Sequence, residues 1–279
     1  MISKFGRIAL GAGLAAFAAG PALAQGGSGW TGGYVGVHAG YGFQSGGGGE
    51  TVQFDTNLDG AFTDTVRTGA GADAFSPGFC GATARGRSAA EGCRKDDDGY
   101  DLGLRAGFDS DLGGLVLGGV VDVSYIDVQD GVTAFSVTPA SYSFSRELEL
   151  LAAARLRAGF GAAGFLVYAT GGGAWGEIDH SFATTNAANS FTPRGGDDAW
   201  GYQIGAGAET MFAQGLSVGV EYLYTTLKDK GYVVRTGPGT APPTNPFLLV
   251  NPQGTDMRRA EKDFDFSTVR LTVTYRFGG

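Results

Sequence analysis

Apolar and polar residues alternate with period two in eight stretches of the chain, near 34–43, 100–110, 115–126, 148–160, 165–176, 199–211, 216–227 and 265–277. That period marks a strand with one face in an apolar phase and the other in a polar one. The connections between the stretches switch between long and short. Those at 111–114, 161–164 and 212–215 are short and rich in Gly and Ala, whereas 44–98, 128–146, 178–197 and 229–263 are long. A soluble sandwich has no reason to collect its long loops at one end. A membrane β-barrel does, with short turns on the periplasmic side and long loops outside the cell. An even number of strands also leaves no unpaired edge in lipid. The expected fold is all-β: an eight-stranded, antiparallel, up-and-down transmembrane β-barrel.

Strand parity sorts the side chains. One face carries Val35, Val37, Tyr41, Leu102, Leu104, Phe108, Val121, Val123, Leu156, Ile204, Val218, Tyr222, Leu271, Val273 and their neighbours, with aromatics such as Tyr100, Tyr125, Phe160, Tyr275 and Phe277 near the strand ends. That is the aromatic girdle of a lipid-facing surface. The opposite face is rich in Gly and gathers Asp101, Asp109, Asp122, Glu149, Glu209 and Glu221 with Arg105, Arg155, Arg157, Arg270 and Arg276. A soluble lipid-carrying barrel would reverse this arrangement. An eight-stranded barrel is only wide enough for side chains to fill it, so these charges are expected to pair as a plug. In 165–176 either Leu166, Tyr168 and Thr170 or Phe165, Val167 and Ala169 could meet lipid.

The N-terminus names the compartment. Lys4 and Arg7 precede an apolar run from Ile8 to Ala19, then Pro21 and the small-residue site Ala22-Leu23-Ala24. The run is shorter than the ~20 residues of a spanning helix and reads as a cleaved signal peptide, 1–24, leaving 25–279 as one barrel domain with four long extracellular loops. Its removal takes two cations and moves the formal charge from −8 to −10, which excludes a nucleic-acid partner bound by phosphate neutralisation. Gly is 51 of 279 residues, about 18% against a usual ~7%, as a narrow lumen requires. Cys80 and Cys93 share the first long connection, and in an exported chain they are expected to form a disulfide.

At this point a family resemblance enters. Trp30-Thr31-Gly32-Gly33-Tyr34-Val35-Gly36, Gly119-Val120-Val121-Asp122-Val123-Ser124-Tyr125, Arg155-Leu156-Arg157-Ala158-Gly159-Phe160, Tyr168-Ala169-Thr170-Gly171-Gly172, Glu221-Tyr222-Leu223-Tyr224 and Val273-Thr274-Tyr275-Arg276-Phe277 resemble the porin-like outer-membrane immunogenic proteins of alphaproteobacteria. These are β-barrels similar in fold to the OmpA membrane domain and the opacity adhesins. The resemblance implies an outer-membrane location in a Gram-negative cell and contact with membrane lipid and lipopolysaccharide. It also implies an assembly signal at the last aromatic, Phe277, read by the barrel-assembly machinery, although Gly278-Gly279 follow it.

Other motifs give little. Asp55-Thr56-Asn57-Leu58-Asp59-Gly60 fits half of a calcium loop, but Val66 stands where the bidentate Glu belongs, so a solvated acidic turn is expected. Gly171-x-Gly173-x-x-Gly176 lies in a strand and opens no helix, which rules out a dinucleotide fingerprint. His38 shares its face with glycines, and no nucleophile motif surrounds it or His180. The expected role is therefore structural and surface-interactive, with no catalysis and no cofactor, and with host or surface ligands contacted through the loops. The alternative is a narrow, non-specific, porin-like diffusion pore. The nearly balanced interior favours the first, since a selective pore usually shows a ring of one sign.

Overall fold

In a computed structural model of the chain, residues 29–44, 49–229 and 231–277 are described. Residues 1–24 and Gly278-Gly279 lie outside them. The described chain is built almost wholly of strands: β1 (Gly32–Phe43), β2 (Val52–Asp55), β3 (Gly78–Cys80), β4 (Gly99–Asp111), β5 (Leu115–Ser136), β6 (Ala140–Ala162), β7 (Phe165–Thr184), β8 (Ser190–Arg194), β9 (Asp198–Ala213), β10 (Leu216–Lys228), β11 (Val233–Gly237), β12 (Thr255–Arg259) and β13 (Asp263–Phe277). No helix of the described residues is long and apolar enough to cross a membrane.

Eight of these strands form the wall, in the order β1-β4-β5-β6-β7-β9-β10-β13, each antiparallel to the next. The ring closes where β13 returns to β1, with Phe277 opposite Gly33 and Val269 opposite Tyr41. Every internal wall edge is thereby paired, which is what a lipid phase demands of backbone N–H and C=O groups. The turns between β4 and β5, β6 and β7, and β9 and β10 are tight. Ala163 and Gly164 both adopt positive φ, 49° and 79°, the geometry of a two-residue hairpin turn whose twist matches that of its strands.

Side chains alternate as the parity demands. Val35, Leu104, Val121, Leu156, Ile204, Val220 and Leu271 lie exposed on the outer face, while Tyr34, Arg105, Asp122, Arg155, Gln203, Glu221 and Arg270 are buried in the lumen. On β7 the open question resolves: Leu166, Tyr168 and Thr170 turn inward and Phe165, Val167 and Ala169 outward.

The other end of the barrel departs from a set of loops. The stretch expected as a loop at 128–146 is strand: β5 and β6 run on as one hairpin and turn only at residues 137–139. The physical reason is that the alternation persists, with Val128, Val132, Ala134, Ala140, Tyr142, Phe144 and Leu148 all buried on the inner face. On β6 the bulge between Leu148 and Leu150 shifts the buried positions from even to odd residue numbers, which conceals the extension from a period-two reading. β7 likewise continues beyond 176 to Thr184.

Facing this extended hairpin is a second, four-stranded sheet, β2-β12-β11-β8. Its strands come from three different connections, and between the sheets lies an apolar core. Phe54, Phe75, Tyr142, Phe144, Val234, Phe247 and Met257 belong to it, with Phe182, Phe191 and Tyr232 packed alongside. Phe54 stacks on Phe75 with ring centroids 4.4 Å apart. A short 3₁₀ turn at Pro246–Leu248, capped by Asn245 accepting from the Phe247 N–H at 3.1 Å, delivers Phe247 to this core. The long connections therefore fold into a cap with a core of its own.

Candidate functional site

The lumen is layered, and register sets the layers. Nearest the short turns, Arg276 reaches Asp109 at 2.9 Å, and Arg157 bridges Glu209 at 3.1 Å and Asp109 at 3.7 Å. Arg157 donates to the Tyr34 hydroxyl at 2.8 Å and lies 4.0 Å from the centre of the Tyr168 ring. In the middle layer Arg155 pairs with Asp122 at 2.6 Å and with Glu221 at 3.4 Å, and Arg105 lies 3.6 Å from Glu221. The Tyr168 hydroxyl donates to Glu221 at 3.0 Å. Above these, Arg270 pairs with Asp101 and, at 2.9 Å, with Asp122. His38 sits 2.9 Å from the Ser124 hydroxyl and 3.3 Å from Asp101.

Five acids and five arginines thus neutralise one another inside the wall: Asp101, Asp109, Asp122, Glu209 and Glu221 with Arg105, Arg155, Arg157, Arg270 and Arg276. Carboxylates shared between two guanidinia are what make such burial tolerable, because each ion removed from water needs compensation worth several kcal/mol. Glycines make the room. A Cβ on Gly107 would stand 2.4 Å from the Tyr34 ring, and one on Gly207 would stand 2.5 Å from the Tyr168 hydroxyl.

Glu149 is a correction. It carries the parity of Arg155 and Arg157, but the bulge between Leu148 and Leu150 turns it to the exposed outer face, where it takes no part in the network. Its charge bears instead on Glu147, whose acidity is weakened first by burial and then by Asp127 and Glu149.

Both ends of the charged zone are apolar. Trp30, Val116, Leu166 and Tyr168, with Met211 beside them, close the turn end. Ile126, Val128, Leu148, Leu151, Ile178, Leu227, Phe264 and Phe266 close the other. Beyond that seal lies a polar layer that strand parity did not reveal. Arg146 holds Asp130 at 2.8 Å and Asp229 at 3.6 Å, Arg259 pairs with Glu50 and Asp130, and His180 meets Asp229 at 2.9 Å. For Asp130 and Arg146 the continued alternation of 128–146 was the signal.

The remaining candidates fall outside the lumen. Cys80 and Cys93 are disulfide-bonded within the first connection. The Asp55 turn is solvated at Asn57, Asp59 and Gly60, while Asp55 itself is buried. Its two carboxylate oxygens accept the N–H groups of Asp59 at 3.2 Å and Gly60 at 2.8 Å, and so serve the backbone of the turn. Phe277 lies on the outer face with its ring 5.7 Å from Tyr275.

A closed antiparallel wall with an apolar exterior and a charged interior defines an integral outer-membrane barrel, and comparison with known proteins agrees. Residues 12–277 match the outer membrane protein beta-barrel domain family, and the chain belongs to it. It is similar to the 31 kDa outer-membrane immunogenic proteins of Brucella melitensis biotype 1 (strain 16M) and Brucella suis biovar 1 (strain 1330). Each is 26% identical over 250 residues, covering 89% of this chain and 84% of the relative. In fold it is similar to the outer membrane protein OprG from Pseudomonas aeruginosa, with a TM-score of 0.51 and 13% identity over 90% of this chain and 100% of that one. The protein resides in the outer membrane of a Gram-negative bacterium.

Proposed function

We propose that the protein is a closed, non-catalytic barrel with a structural and surface-interactive role: it anchors the cap in the outer membrane and presents it to the outside. One observation carries this reading: the balanced ion-pair network of the lumen sits between two apolar seals, so an ion crossing the wall would have to break pairs and enter apolar constrictions. The orientation follows the usual asymmetry of such barrels, with short turns in the periplasm and the cap outside. The immunogenic character for which the Brucella relatives are named supports surface display. A cleaved signal peptide at 1–24 and recognition of Phe277 by the assembly machinery complete the route to the membrane.

Against catalysis stands the geometry of His38. Its Nε2 faces both Ser124 and Asp101, deep in the lumen, whereas a relay needs the acid on the other ring nitrogen. The competing role is a narrow diffusion pore. Planar-bilayer recording of the refolded full chain decides between them: the closed reading expects no steps above background, and regular ohmic steps from the unmodified protein would overturn it.

A further inference from the structure

A cleft of about 360 Å³ lies at the foot of the cap, between β5 and the segment that follows β3. Its floor is β5. Gln129, Asp130 and Gly131 line it, and Thr83 lies over Gly131 so closely that a Cβ there would meet its methyl at 3.0 Å. Its rim is the disulfide-closed segment after β3, which is held rigidly. The Arg94 N–H donates to the Thr83 carbonyl at 2.9 Å, and the Thr133 hydroxyl to the Ala82 carbonyl at 2.8 Å. From this rim project Arg85, Arg94 and Lys95.

Those three cations have no side-chain hydrogen bond or ion pair with any described residue, while most of the nearby acids are engaged. Asp130 is taken by Arg146 and Arg259. Asp98 accepts from the Gln44 N–H at 3.1 Å, and Glu91 accepts from the N–H groups of Arg87 and Ser88. Asp96 accepts from the Gly131 N–H at 2.9 Å, and burial, aided by the charge of Asp130, pushes its pKa up to about 6. Among the described acids that line the cleft, Asp97 alone makes no side-chain hydrogen bond or ion pair, so one unengaged carboxylate stands against three cations.

Depth narrows the ligand. The backbone of Asp97 pairs with that of Gln129, and three residues further on Tyr100 stands exposed on the lipid face with its ring 6.3 Å from that of Tyr41. Three strand residues span roughly 10 Å at ~3.3 Å each, so the cations ride just above the aromatic belt, at the level of lipid headgroups. We propose that this cleft holds the phosphorylated headgroup of an outer-leaflet glycolipid, with Arg85, Arg94 and Lys95 on phosphate oxygens and Thr83 and Gln129 on sugar hydroxyls. Guanidinium forks suit phosphate geometry. The lipid's chains would lie along the exposed Leu102, Leu104 and Val123 below. A soluble phosphate would gain nothing from that apolar surface. The inference rests on the cap facing outward, as proposed above.

Native mass spectrometry of the full chain in detergent micelles tests it, with bis-phosphorylated lipid A, its dephosphorylated form and inorganic phosphate as probes. The wild type should favour the bis-phosphorylated lipid by about tenfold or more, and R85Q/R94Q/K95Q should lose that preference to within about twofold. K228Q/K262Q, which removes two exposed lysines elsewhere on the same end, should keep it. A triple variant that retains the preference, or a control that loses it equally, overturns the site. Full competition by millimolar inorganic phosphate overturns the lipid as its source. Folding is read from the heat-modifiable band, and if the triple variant fails to fold, R94Q alone should lower the preference about threefold; no change in R94Q overturns the site as well. Micelles have no sidedness, so a failure of orientation would appear in surface proteolysis and not in this measurement.

Discussion

Asp122 shows how much a single lumen residue carries. It accepts from Arg155 on β6 and Arg270 on β13, strands on opposite sides of the barrel cross-section, so the carboxylate ties the wall together through its centre. Arg155→Ala leaves Asp122 and Glu221 short of a counter-charge, and should destabilise the folded barrel by about 3–5 kcal/mol. Urea or guanidinium midpoints in detergent would register this, and a change below 1 kcal/mol would mean that water reaches the pair freely. Asp96 makes a prediction of another kind. Its folded pKa of about 6 lies above the ordinary value, so the native state binds the proton more tightly than the unfolded chain does. Its contribution favours folding at low pH and turns to a penalty as pH rises through about 6. Asp96→Asn should therefore stabilise the protein at pH 7.5 and change little near pH 4, which thermal melts at the two values can show. At this scale the lumen charges were legible because parity is rigid: in Asp101, Arg105 and Asp109 of β4 no residue interrupts the alternation. Glu149 was not legible, because a bulge adds one residue and reverses every face beyond it.

Among the elements, β13 closes the ring and β6 extends it. Phe277, the last described residue, pairs with Gly33, and the absence of a side chain there lets the phenyl ring lie against the glycine, 3.3 Å from where a Cβ would be. A closing strand with an exposed edge must be recognised and paired before it aggregates. Phe277→Ala should lower the amount of folded barrel recovered in the outer membrane, while deletion of Gly278-Gly279 should leave it equal or higher. Comparison of heat-modifiable bands decides this, and normal folding of Phe277→Ala would place the signal elsewhere. The eight wall strands could be read from the chain because lipid on one side and charge on the other sharpen the alternation. The upper halves of β5 and β6 could not. Their outer faces carry Ser, Thr and Glu, much like loop residues, and both bulges fall where wall gives way to cap.

For the molecule as a whole, the barrel and cap are continuous, since β5, β6 and β7 belong to both. Protease added to intact cells should reach 185–189 or 238–245, at the tips of the cap, and leave 112–114, 163–164 and 214–215 uncut. Cleavage at any of those short turns from outside would reverse the orientation. The cap's strands could not have been foreseen from local pattern, because β2, β8, β11 and β12 are four or five residues each and gain their order from partners far away in sequence. Phe54, Tyr142, Phe191 and Phe247 share one core although each comes from a different connection. An antibody raised against the intact surface would therefore read discontinuous epitopes assembled from several connections at once. A synthetic peptide copied from any one of them would lack the neighbours that give it shape, and serum against whole cells should recognise the unboiled protein and largely ignore such peptides.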